Sequence, residues 1–262
     1  MTPRIDTSPY ARWLEYFDGR REQQLNAPFG APFEHLPGRH AVARSLARFE
    51  LGESGDGEQL TRHAAATGDR AYMRSIELFV REEQQHARWL TILRERFGGV
   101  RLTSHWSDTA FVVLRHVGGL RREICVLLTA ELIALSYYTA LPLAYDDPLL
   151  RATCERILRD ERGHVAFHRA TLSHEFARMP APVRGAAILA WRAFVATTAA
   201  VVAWDHRHVL ELAGLSRRDF ARDIRARARR LAQTVRHPVA ASASPAPVRD
   251  QATPRGELDY AA

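Results

Sequence analysis

Two Glu-x-x-His motifs stand out in this 262-residue chain, Glu83-Gln-Gln-His86 and Glu161-Arg-Gly-His164. On a helix, residues three apart lie on one face, so each motif offers a carboxylate and an imidazole to a common point. Hard oxygen donors with one imidazole per ion suit iron or manganese better than metals that prefer thiolate. One such motif carries little weight, because a chain with this many Glu and His contains about one by chance.

Three further features raise the pair above chance. The first is helical phase. Ile76, Phe79, Glu83, His86, Leu90 and Leu93 step alternately by three and four residues, and so do Leu150, Cys154, Ile157, Glu161, His164 and His168. That is the spacing of an inner helical seam. Burying an unpaired carboxylate there costs on the order of several kcal/mol, so each glutamate must be protonated, paired or metal-bound. The second feature is a pair of partner glutamates. Leu46, Phe49, Glu53, Asp56 and Leu60 form another seam, and Ile124, Leu128, Glu131, Leu135 and Tyr138 a fourth. The third is an internal repeat: Glu53 precedes Glu83 by 30 residues, Glu131 precedes Glu161 by 30, and the Glu/Glu/His set recurs with an offset of 78. In an antiparallel helical hairpin, residues at one level are equidistant from the turn. The two midpoints are Gly68 and Asp146, both at turn signals, and using Glu50 instead of Glu53 would break both the repeat and the midpoint.

Four Glu and two His at one level, drawn from four helices, make a di-metal carboxylate arrangement. Four carboxylates carry −4 and two divalent cations +4, which brings a buried cluster close to neutral.

These residues need long helices to hold them. The chain is dominated by Ala, Leu, Arg and Glu, and strand-type alternation is almost absent, so the expected class is all-α. Residues 1–38 read as a short helix with Trp13 and Phe17, then a Pro/Gly-rich loop. One long helix is expected from about Arg39 to Thr67, ended by Gly68, and a second from Asp69, its N-cap, to about Phe97. Residues 98–119 form a connection long enough to run the length of the bundle. A third helix covers about 120–144. A fourth starts at Asp147-Pro148 and runs to about Met179. A fifth spans about 183–213 and a basic sixth about 216–236. The four-helix bundle thus occupies 39–179, additional packing helices 180–236, and a Pro/Ala/Ser-rich tail, expected to be disordered, 237–262.

The stretches Phe49-Glu-Leu-Gly-Glu-Ser54, Glu82-Glu83-Gln84-Gln85-His86, Glu131 and Asp160-Glu161-Arg162-Gly163-His164 resemble the ferritin-like superfamily. The likeness is to its rubrerythrin-like and di-iron oxidase or oxygenase branches, and covers about residues 40–175. It implies a four-helix bundle with a long crossover between helices two and three, holding two iron ions or a Mn/Fe pair. Glu83 and Glu161 would bridge or chelate, Glu53 and Glu131 would be terminal carboxylates, and His86 and His164 would give each metal one imidazole. Glu82 and Asp160 would orient the histidines from behind, which is also expected on physical grounds. Asp56, one turn from Glu53, is read as support around the ligands or part of a water-lined patch. His168, one turn from His164, is read as a hydrogen-bonded core histidine supporting them, with a third imidazole for one metal as the alternative. Tyr138 is read as a core tyrosine, with a redox-active or channel-lining role as the alternative.

The resemblance implies activation of O2 or peroxide to oxidise a small organic substrate. A ferroxidase, iron-binding or peroxide-detoxifying protein is the alternative, and a metal-free structural bundle the second. The chain has no Cys-x-x-Cys pair of rubredoxin type, so an external electron donor is expected. A second copy of the chain, as a homodimer, is the other expected protein partner.

Composition sets the remaining bounds. All 37 basic residues are arginine, a uniformity that reads as coding bias, so the net charge of +7 is weak ground for nucleic-acid binding. Residues 216–236 carry eight Arg against Asp219 and Asp223, while Phe220, Ile224, Leu231 and Val235 share one helical face. This reads as a solvated helix lying on the bundle, with an anionic surface as the alternative contact. Cys125 and Cys154 read as buried thiols of a reducing compartment, and the N-terminus lacks a signal pattern, so a cytoplasmic location is expected. The most apolar stretch, Ala186 to Trp204, is interrupted by Arg192 and is not read as a membrane span.

Overall fold

The computed structural model describes residues 8–20, 30–33, 35–116 and 118–236, so the expected tail 237–262 lies outside the described residues. Among the described residues there are helices and no strands. In order they are α1 (Ala11–Asp18), α2 (Arg39–Glu53), α3 (Glu58–Ala66), α4 (Arg70–Arg96), α5 (Trp106–His116), α6 (Leu120–Ala140), α7 (Pro148–Ala177), α8 (Ala181–Asp205), α9 (Arg207–Leu212) and α10 (Arg217–Arg236). The architecture is that of a ferritin-like four-helix bundle. α2 pairs with α4, α6 pairs with α7, and the crossover between the two hairpins carries α5 across α6 and α2.

The hairpin turns are set by local chemistry. Gly68 takes a left-handed conformation (φ 73°), which glycine adopts without a Cβ penalty. Asp69 then caps α4 by accepting the Tyr72 N–H at 2.9 Å. At the second turn Asp147 accepts the Leu150 N–H at 2.8 Å, and Pro148 fills the first helical position.

The first helix departs from expectation. The single helix from Arg39 to Thr67 is in fact two, broken over residues 54–57. Gly52, Gly55 and Gly57 crowd this segment, and each glycine lowers helix stability by about 1 kcal/mol relative to alanine. Gly57 adopts φ 66° against Val80, whose side chain occupies the space a Cβ would need. Asp56 is therefore not on an inward seam. It is exposed, and its Oδ1 accepts the Glu58 N–H at 3.0 Å at the start of α3. The expected fifth helix is likewise interrupted, at His206, to give α8 and α9.

Helices outside the four-helix core cover its flanks. α1 seats Trp13 and Phe17 against α4 and Phe167 of α7. α10 lays Phe220, Ile224, Leu231 and Val235 onto α8, α6 and α7, with its arginines outward. Among the described residues two segments, Leu120–Leu143 and Ala181–Asp205, are long and apolar enough to cross a membrane by length and composition alone. The first is 83% buried inside the bundle and is a core helix; the second is 28% buried and has one open face.

His206, at the junction of α8 and α9, is buried. Its Nδ1 lies 2.7 Å from Ser45 Oγ, which in turn lies 2.7 Å from Tyr137 Oη, while Asp205 Oδ2 is 3.9 Å from its Nε2. Burial, with the charges of Arg48 and His105, lowers its pKa to about 3. The folded protein therefore keeps His206 neutral where the unfolded chain would protonate it. This contribution to stability is present above about pH 6.5 and is lost as pH falls toward 3. We expect His206→Gln to flatten the dependence of unfolding free energy on pH between 6.5 and 4.5. The change should be about one proton's worth, roughly 1.4 kcal/mol per pH unit, measured by denaturant unfolding across that range. An unchanged slope would mean that His206 is already protonated in the fold.

Candidate metal centre

The two hairpins deliver six ligand-type residues to one level. Glu53 is the last residue of α2, Glu83 and His86 lie mid-helix in α4, Glu131 in α6, and Glu161 and His164 in α7. Donor atoms of Glu53, Glu83, His86 and Glu161 lie within 4.8 Å of one another, as do those of Glu83, Glu131, Glu161 and His164. Glu83 and Glu161 belong to both groups. The geometry describes two cation positions sharing two carboxylates, each completed by one further carboxylate and one imidazole.

Both histidines turn Nδ1 inward. His86 Nδ1 is 3.4 Å from Glu161 and 3.8 Å from Glu83; His164 Nδ1 is 2.9 Å from Glu83 and 3.6 Å from both Glu131 and Glu161. Each outer nitrogen meets a carboxylate, with His86 Nε2 at 3.3 Å from Asp160 Oδ2 and His164 Nε2 at 2.9 Å from Glu82 Oε2. The support is crosswise: the acid preceding each motif holds the histidine of the other. A proton on Nε2 shared with the acid leaves the Nδ1 lone pair for a metal.

The donor set passes a test of fit. Among the described residues, Glu83 Oε1, Glu161 Oε2, His86 Nδ1 and His164 Nδ1 are buried without a hydrogen-bond partner. Such orphans are rare in folded proteins, and four pointing at one place are rarer. A pair of divalent cations satisfies all four and offsets the charge of the four carboxylates.

Within the protein's own groups, protons offset part of that charge. Burial, then the charges of Glu83 and Glu161, push Glu53 well above the usual carboxylate range, and burial, Glu161 and Glu83 do the same to Glu131. Burial also works against ionised Glu161, but Glu131, His164 and His86 close beside it outweigh that and hold this carboxyl low. Burial opposes charge on His86, yet Asp160 and Glu161 raise it to about 10. Cation binding must displace these protons.

The surrounding residues divide clearly. Tyr138 is a core tyrosine that donates its hydroxyl to Glu53 Oε1 at 2.9 Å and so positions that carboxylate. His168 lies outside both four-residue groups, with Nε2 3.6 Å from Glu131 Oε1. Burial, then the charge of His164, lowers it to about 3, and it stands as a neutral imidazole behind Glu131. Glu50 is engaged elsewhere, accepting from Arg94 Nε at 2.5 Å and Thr91 Oγ1 at 3.0 Å.

Sequence reasoning passed over Arg20. At the end of α1 it pairs with Asp160 and lies 3.8 Å from Glu82, so one cation steadies both carboxylates behind the histidines. Arg156 Nε adds a bond to Asp160 at 3.1 Å. Together with burial, which acts the other way, His86, Arg20 and Arg156 hold Asp160 down at about 2. The one local signal was Gly163, inside a helix where glycine is disfavoured. Tyr16 of α1 occupies the space its Cβ would take.

Two outcomes follow from this layout. Glu53→Ala should lower bound metal below two ions per chain by elemental analysis. Glu50→Ala should leave metal content intact but cost about 3–5 kcal/mol of stability by stranding buried Arg94; the reverse pattern would exchange their roles. Arg20→Ala should weaken metal binding about 10- to 100-fold, the usual effect of losing a residue behind the ligands. Arg20→Lys should recover part of that loss in the same titration.

No family model matches the chain, and no curated protein or solved structure does so either. What the chain shares with known proteins is therefore carried by its geometry: an all-α, four-helix-bundle fold with two Glu/His clusters consistent with a ferritin-like di-metal site.

Proposed function

We propose that this chain is a cytoplasmic di-iron or Mn/Fe oxidoreductase that uses O2 or peroxide to oxidise a small organic substrate, with electrons from a separate donor. The observation that carries the oxidative reading is a cavity of about 380 Å³ lined by Glu53, Glu83, Glu131 and Glu161 at one end and mostly by apolar side chains elsewhere. Iron storage or ferroxidation needs a path for hydrated ions, and mostly apolar walls serve that purpose poorly. An organic molecule beside the ligands needs such walls. The two free thiols, buried Cys154 and half-buried Cys125, support the reducing compartment.

When bound, a redox-active metal pair supplies the electrons that reduce O2 or peroxide next to the substrate. The chain's own residues do the rest. Glu83 and Glu161 would serve both cation positions, Glu53 with His86 would complete one, and Glu131 with His164 the other. Asp160 and Glu82 keep the outer imidazole protons on Nε2. Tyr138 fixes the carboxylate of Glu53, whose helix ends at that residue. Phe79, packed edge-on against His164 and His168, keeps water from the inner face of the imidazoles.

Reconstitution under anaerobic Fe²⁺ should give about two metal ions per chain by elemental analysis, as the ligand count requires. Metal that binds only the folded state stabilises it by about 2.7 kcal/mol at 100 times its dissociation constant. The melting temperature should then rise by roughly 5–10 °C with Fe²⁺ or Mn²⁺, and the rise should vanish in a His86→Ala/His164→Ala double variant. Equal shifts in both proteins would place the metal elsewhere. Reductant-dependent O2 consumption by the loaded protein then separates an oxidase from a chain that only holds metal.

A further inference from the structure

The cavity beside the ligands has a definite chemical character. Its floor is the carboxylate cluster with Phe79 and Leu60. Its mouth lies at Trp106 and Leu114 of α5, which line it and are also exposed to solvent. The break after Glu53 makes the room. Gly52 and Gly55 face the cavity, and a Cβ built on either meets nothing within 4 Å.

Most polar groups along its length are already engaged with other residues. Thr197 and Thr198 donate their hydroxyls to Ala193 and Phe194 carbonyls of their own helix. Arg48 is tied to Asp205 by a 2.7 Å bond to its carbonyl and a 3.3 Å ion pair. Arg115 lies 3.5 Å from buried Glu123, which His63 also holds at 2.6 Å. His206 is kept neutral by burial and is bonded to Ser45. A charged guest would lose its hydration here and meet groups whose charges are already matched. Two lining groups of α5 are exceptions: Arg115 Nε is buried without a hydrogen-bond partner among the described residues, and Asp108 is a carboxylate that burial pushes above its usual range. Size bounds the guest as well. An apolar cavity of about 150 Å³ takes benzene, so this one takes about fifteen non-hydrogen atoms.

We infer that this cavity binds an uncharged, apolar organic molecule of about fifteen non-hydrogen atoms, with one end against the carboxylate cluster. As a statement of substrate class it rests on the oxidative reading above; as a statement of ligand class it stands on the cavity alone.

The test is a matched series on one carbon skeleton, 1-dodecanol, dodecanoate and dodecylammonium. Binding is measured below micelle-forming concentrations by displacement of the neutral probe N-phenyl-1-naphthylamine from the metal-reconstituted full chain. Dodecanol should bind at least tenfold more tightly than either ion. Filling the cavity from two different helices, with Ala134→Phe and Thr198→Phe, should each weaken dodecanol at least tenfold while metal content stays the same. Dodecanoate binding more tightly than dodecanol, with that preference lost in Arg115→Gln, would overturn the uncharged class in favour of an anion. Dodecanol affinity untouched by both wall variants would also overturn it, because the ligand would then sit elsewhere. Metal stoichiometry on the same samples reads the centre separately. Dodecanol bound without metal would remove the oxidative reading and keep the ligand class, whereas metal bound without dodecanol would do the opposite.

Discussion

Four carboxylates meeting in one largely buried layer of a helical bundle are the constraint on which the rest of this structure depends. Like charges at such separations in a low-dielectric interior repel strongly, and each loses its hydration as well. The fold answers with charge and geometry together. Imidazoles interleave with the carboxylates, and Asp160 and Glu82 behind them fix which nitrogen faces inward. Arg20 and Arg156 then balance the outer acids. Each shell compensates the one inside it, so the charge is passed outward in alternating sign until it reaches solvent.

This constraint also explains what the sequence disclosed. Ligands held at one level by two hairpins must sit symmetrically about the turns, and that arithmetic separates Glu53 from Glu50 before any fold is known. The structure puts Glu53 in the cluster and Glu50 in an ion pair with Arg94. The capped turns at Asp69 and Asp147 were readable for the same reason, since caps are local chemistry. Contacts fixed only by tertiary packing were not. Arg20 reaches Asp160 across 140 positions of chain, and nothing near it in sequence announces the partner. His206 and Ser45, 161 positions apart, are a similar case. The break in the first helix was visible as three close glycines, but the helical period of the flanking residues masked it and carried Asp56 onto a seam it does not occupy.

The same break links fold to site. A continuous helix through residues 54–57 would fill the space beside Glu53 with side chains and close the centre off. Glycines there, with α5 laid across the opening by the long crossover, leave an apolar chamber that ends on the ligands. The crossover is thus both the connection the topology demands and one wall of the chamber.

Glu53 and Glu131 hold equivalent places in the repeat but not equivalent backbones. Glu131 sits in the interior of α6, clamped by helical hydrogen bonds on both sides, with His168 behind it. Glu53 closes α2, where the helix dipole presents its negative end to the carboxylate. Tyr138 backs it with a hydrogen bond, and the helix ends one residue later, at Ser54, whose N–H makes the last helical bond to Glu50 O at 3.1 Å. One side of the centre is stiff and the other compliant. A pair of cations held here would therefore exchange at unequal rates. The ion at Glu53 and His86 would be first to leave under a chelator, and a half-loaded chain would persist as a discrete kinetic species.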